Sequence, residues 1–143
     1  MDWPKNMRIK HMNSYQTQTI DYNYINNILK DVPLTYYPDI ANAVNSIEAG
    51  VYLSQLLYWT DYKRNPTGWI YKTQEEWTKE TGMSAKDLNK ARNRLKKLNI
   101  LEEQKDKETK LIYFRINFDN LYQTIKSYYE NRQAKKDKST KHE

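Results

Sequence analysis

The segment from Thr73 to Ile116 leaves the backbone few options. Thr73 is followed three residues later by Glu76, the spacing of a capping box, so a helix is expected from Gln74 to about Glu80. Thr81-Gly82 ends it, because Gly82 accepts the left-handed conformation that closes a helix. Ser84 is placed to cap a second helix, Ala85 to about Leu98. Asp87 falls in its first turn and Lys96 and Lys97 in its last, each favourable to the helix dipole. Two helices joined by a turn of about three residues that includes Gly form a helix-turn-helix pattern.

The second helix separates its faces. Leu88, Ala91, Leu95 and Leu98 recur at helical spacing and make one apolar stripe. Lys86, Asn89, Lys90, Asn93 and Lys97 lie opposite, with Arg92 and Arg94 on the flanks. Between Ser84 and Leu98 six Lys or Arg stand against one acid, a local charge of +5. A charge run of this kind also occurs on plain solvated faces. Two features point further. Asn pairs bidentately with adenine while Arg and Lys read guanine or hold phosphate, and the second helix of a helix-turn-helix is the one that enters the major groove. Ser84, Lys86, Asn89, Lys90, Arg92, Asn93, Arg94 and Lys97 are therefore the candidate DNA-contacting residues. Asn89 and Asn93 suit base edges, Lys86 and Lys90 bases or phosphates, and Arg92, Arg94 and Lys97 the backbone.

Asn99 to Glu103 reads as a short strand and Leu111 to Ile116 as another, rich in β-branched and aromatic residues. Gln104 to Lys110 carries no apolar residue and is expected to be an exposed hairpin tip; its charges, Lys105, Asp106, Lys107 and Glu108, nearly cancel. Lys105 and Lys107 join the candidate DNA contacts as weak ones. Gly68 to Tyr71 can add a third short strand. The order helix, strand, helix, helix, strand, tip, strand predicts an α+β winged helix-turn-helix with further helices at both ends.

The runs SIEAGVYLSQLLYWTD, GWIYKTQEEWTKETGMSAKDLNKARNRLKKLNILEE and LIYFRIN resemble the winged-helix domain of phage and mobile-element replication proteins, the replisome organisers and initiators of Gram-positive hosts. The resemblance covers roughly Tyr36 to Leu121 and is most specific in LSQLLYW, WIYKTQEEW and the TGMS turn with its basic helix. It implies that the helix from Ser84 to Leu98 contacts DNA and that the role is origin binding.

Elsewhere the chain is read as a flexible segment 1–19, a domain spanning 20–132 with its core in 36–118, and a disordered basic tail 133–143. Asp21 to Val32 has apolar residues at helical spacing and is expected to be an accessory helix ended by Pro33. Pro38 opens a short helix to Val44, and Ser46 begins another that runs to about Thr60. That helix is apolar nearly all round, so it needs cover on more than one side: the helix-turn-helix on one, and the accessory helix or a second subunit on the other. Asp61 to Gly68 reads as a turn-rich loop in which Lys63 and Arg64 are read as solvated, with phosphate contact as the alternative. Asp119 to about Arg132 forms a last helix. The apolar surfaces of 21–32 and 119–132 offer a homodimer contact; the alternative is that they cap the chain's own core.

A net charge of +6 favours an anionic partner, here double-stranded DNA. Cysteine is absent, which leaves no disulfide and no thiolate chemistry. No apolar run approaches the ~18 residues of a membrane span, so the expected place is the cytoplasm and no membrane contact is expected. His11 and His142 fall in segments read as loose, the three glycines build no phosphate loop, and the adjacent acids Glu75-Glu76 and Glu102-Glu103 do not converge. The sequence is thus read as that of a non-enzyme with no metal and no cofactor. The tyrosines and tryptophans sit mostly at core spacing rather than as a base-stacking row. Two other uses of the same fold stay open: a transcriptional regulator, or a phage accessory protein that binds and inhibits a host protein. Replication or other host proteins are the further expected partners.

Overall fold

The computed structural model describes residues 19–63 and 65–141. The readings of 1–18, including Trp3, Met7 and His11, lie outside them, as do Arg64 and His142. The chain divides into two units, Met1–Val32 and Pro33–Glu143. In the first, α1 (Tyr22–Ile28) is capped by Asp21, whose carboxylate accepts from the Tyr24 amide at 3.0 Å. It stops short of Val32, and Leu29 is already extended. None of its residues is buried, so nothing holds a last turn, and Val32 stands before Pro33, where α geometry is disfavoured.

The second unit is α+β. It comprises α2 (Pro38–Val44), α3 (Ile47–Lys63), β1 (Ile70–Tyr71), α4 (Gln74–Thr81), α5 (Ala85–Lys97), β2 (Leu101–Lys105), β3 (Ile112–Ile116) and α6 (Phe118–Lys141). The strands form one antiparallel sheet in the order β1-β3-β2, with Ile70 opposite Phe114 and Leu101 opposite Ile116. Alternation turns Ile70, Phe114 and Ile116 inward. Arg115 faces outward, paired with Glu102 at 2.6 Å and lying over the Trp69 ring.

Two ends explain how the chain turns. Asn45 (φ 55°) and Asn99 (φ 58°) take the left-handed position after α2 and α5. In each case the next two amides reach back to the helix: Asn99 to Lys96 and Ile100 to Leu95, both at 2.9 Å, and Asn45 to Asn42 and Ser46 to Ala41. The closing residue Ile100 and its partner Leu95 are both fully buried. This double bond occupies Asn99 and Ile100, which is why β2 starts at Leu101 and not at Asn99. Gln104 and Lys105 accordingly end the strand instead of opening the tip.

α3 runs through the middle and carries seven buried residues, among them Tyr52, Leu53 and Leu56. It packs on α2 on one side and α5 on the other, so α2 supplies the second cover that the sequence assigned to the accessory helix or another subunit. The helix also absorbs Asp61, Tyr62 and Lys63 from the expected loop. The α2 contact is close because of Gly50: a Cβ there would lie 2.5 Å from the Ala41 Cβ and 2.7 Å from its Cα. Gly50→Ala would normally favour a helix by about 1 kcal/mol. Here it is expected to destabilise by about 1–3 kcal/mol through overpacking against backbone, read as a lowered midpoint in urea unfolding. A midpoint that rises would show that α2 is free to move away.

Tyr52 is the centre of the aromatic core, stacked on Trp77 at 4.0 Å and edge-on to Phe114. Its hydroxyl is buried without a hydrogen-bond partner among the described residues, and burial pushes the phenol far above its ordinary titration range. Removing a buried, unpartnered donor returns its desolvation cost. Tyr52→Phe is therefore expected to leave stability unchanged or to raise it by about 1 kcal/mol; a clear loss in the same unfolding assay would mean that the hydroxyl is bonded.

Helix α6 is longer than expected. Asn117 caps it by accepting from the Asn120 amide at 3.0 Å, and it continues past Arg132 to Lys141, through the stretch read as a disordered tail. Scarcity of apolar residues in 133–141 rules out a packed core there, but not propagation of a helix already nucleated. Ala134 and the Lys and Gln residues favour it, and Gln133 donates to Asp137 one turn on, at 3.2 Å.

Candidate nucleic-acid interface

The site is built on α4 and α5. Thr73 Oγ1 accepts from the Glu76 amide at 3.0 Å while the Glu76 carboxylate accepts from the Thr73 amide at 3.2 Å, completing the capping box. The Thr73 amide and hydroxyl both donate to the Glu76 carboxylate and hold it below its usual pKa. Gly82, at φ 74°, ends α4, and Ser84 caps α5 by accepting from the Asp87 amide at 3.2 Å. Leu88, Ala91 and Leu95 are buried, and Leu98 packs against the same core. The opposite face is therefore fixed outward: Ser84, Lys86, Asn89, Lys90, Asn93 and Lys97 are all exposed. Lys86, Lys90, Asn93 and Lys97 have no internal partner among the described residues.

The flanking arginines do something else. Arg94 donates from Nε to the Val44 carbonyl at 2.8 Å, so a cation sits on the open C-terminal end of α2, where the dipole favours it. Arg92 donates to Glu103 on β2 at 2.7 Å and to the Asn89 side-chain oxygen at 3.3 Å, with its guanidinium over the Phe114 ring. Lys96 reaches the other Glu103 oxygen at 3.3 Å. Burial raises the Glu103 pKa, but the bonds and charges of Arg92 and Lys96 outweigh it and hold the carboxyl below its usual value. Arg92 and Arg94, assigned to the phosphate backbone from sequence, are thus occupied within the protein: they fix the hairpin and α2 to α5. The partner-free cationic face is narrower than the +5 count implies.

The hairpin tip is closed by Asp106. Its amide donates to the Leu111 carbonyl at 2.8 Å, and its carboxylate accepts from the Glu108 and Thr109 amides. Those backbone bonds from Thr109 and Glu108 lower its pKa. Lys105 and Lys107 are exposed beside it, and their charges are matched by Asp106 and Glu108.

Sequence reasoning missed the group that seats α4. Lys72 is buried in an ion pair with Glu80 and lies over the Trp59 ring at 4.1 Å. Glu80 also accepts from Gln55 and from the Trp59 indole, each at 2.6 Å. Glu80 is therefore engaged within the protein, with 23% of its side chain still exposed, whereas Glu75 and Glu76 at the start of α4 are exposed. The only advance signal was the run Trp69-Ile70-Tyr71 immediately before Lys72.

Among the described residues no group of His, Asp or Glu could hold a metal ion, and no helix is long and apolar enough to cross a membrane. Comparison with protein-family models, curated proteins and solved structures found no match to this chain.

Proposed function

We propose that this chain is a winged helix-turn-helix protein that binds double-stranded DNA, reading the major groove with α5, and that it serves replication initiation of a phage or mobile element. The observation that carries this reading is the outward face of α5. Three lysines without a partner among the described residues, and two asparagines, project from a helix whose other side is locked into the core. α4 and its short turn stand before α5, as helix-turn-helix docking requires, and the β2–β3 hairpin follows it as a wing. Lysines hold phosphate and asparagines read adenine. The replication role comes from the resemblance of the α3–β3 region to phage replication proteins.

Arg92 enters the reading as a positioning residue. Its bond to the Asn89 oxygen orients that amide and takes one lone pair, leaving the other lone pair and the NH2 group for a base. Asn89→Ala is expected to weaken binding to the preferred duplex by about 1–3 kcal/mol and to relax preference at one base pair. Lys97→Ala should weaken all duplexes alike and reduce the salt slope by about 1. Electrophoretic shift with the element's own DNA, followed by selection from a random duplex pool, distinguishes the two variants. No shift at low salt would remove the DNA reading and favour a protein-binding role on the same fold.

A further inference from the structure

We infer that α6 is a self-pairing helix, and that its occupant is α6 of a second copy of this chain, crossing antiparallel. Phe118, Tyr122, Ile125 and Tyr129 follow one another at intervals of four, three and four residues, the seam spacing of paired helices. That order of intervals reads the same in both directions. An antiparallel copy therefore sets Phe118 against Tyr129 and Tyr122 against Ile125, and the reverse on the other half. This is the reciprocity a two-fold contact demands.

The two halves of the stripe differ in a way that fits. Phe118 and Tyr122 protrude, 52% and 61% exposed. Ile125 and Tyr129 border an open groove of about 720 Å³, walled also by Leu57 and Tyr58 of α3. Each copy thus offers one aromatic projection and one apolar recess, and the antiparallel crossing brings the projection of one to the recess of the other. Tyr129 is held at the rim of the recess by its hydroxyl, which donates to Asp39 at 2.6 Å.

Charge on the flank agrees. Asp119 and Lys126 stand one heptad apart on the side of the seam away from Leu121 and the core. The same crossing puts Asp119 of each copy near Lys126 of the other, so opposite charges meet twice. The inference rests on the α6 stripe and the groove, and stands or falls independently of DNA binding.

Sedimentation equilibrium from low micromolar to near-millimolar protein tests it directly. The expected result is a mass rising toward twice the 17.3 kDa of one chain, and staying at the single-chain value for Tyr122→Glu, whose site is exposed enough to leave the fold intact. A wild-type mass that never rises, or a dimer untouched by Tyr122→Glu, overturns the proposal. A second test uses the absence of native cysteine. In Phe118→Cys/Tyr129→Cys the two thiols sit about 16 Å apart along one helix, too far to bond within a chain. Mild oxidation is expected to give a covalent dimer; a product that stays monomeric excludes this crossing.

Discussion

Replacing Lys86, Lys90 and Lys97 together by Glu is expected to reduce duplex binding at least about a hundredfold and to lower the salt slope by about 3. Each lysine is exposed and has no internal partner among the described residues, so the circular dichroism and unfolding midpoint should stay close to those of the parent protein. The contrast with the neighbouring cations sharpens the test. Arg92→Ala leaves Glu103 without its closest partner and so unsettles the hairpin, which makes it a stability variant before it is a binding one. Titration of a labelled duplex at several salt concentrations gives both affinity and slope. If the triple variant binds as the parent does, the lysine face is only a solvated surface and the proposed function is lost.

Leu95→Ala is expected to cost about 2–5 kcal/mol of stability through the cavity it leaves. Leu95 is fully buried in the main core and is the residue on which the end of α5 closes, with Ile100 packed behind it. Urea unfolding measures the loss. A cost well under 1 kcal/mol would mean that neighbouring side chains collapse into the space, and the packing described for α5 would be wrong. The two variants make a pair: one should remove binding without touching the fold, the other should weaken the fold while sparing the lysine face.

What could be read from sequence divides by the range of the forces involved. The capping box of Thr73 and Glu76, the Ser84 cap and the Gly82 turn are settled within four residues, and each stands where the local pattern put it. The α5 stripe was legible because burial follows the helical period. The partners of Arg92, Arg94 and Lys72 were not. Val44 is far from Arg94 in sequence, and no periodicity announces which of six cations will turn inward. The end of α6 was hidden for another reason: apolar content measures the capacity to pack, whereas Gln133 to Lys141 needs only good helix formers after a helix already begun. The asparagines at 45 and 99 did not stand out, since the same residue type also fills turns and exposed faces.

The short helix α2 has a further consequence. One end of it carries the Val44 carbonyl that holds Arg94, and the other carries Asp39, which binds Tyr129 and Arg132 of α6. Asn42 adds a bond to Tyr128 between them. Seven residues, about 10 Å of helix, thus tie the helix proposed to read DNA to the helix proposed to pair two copies. In such a pair the interval between the two reading helices is a fixed length of rigid backbone with no linker to stretch. The molecule would then measure base pairs as a caliper does, and the gauge of that caliper is set at α2, where no base is touched.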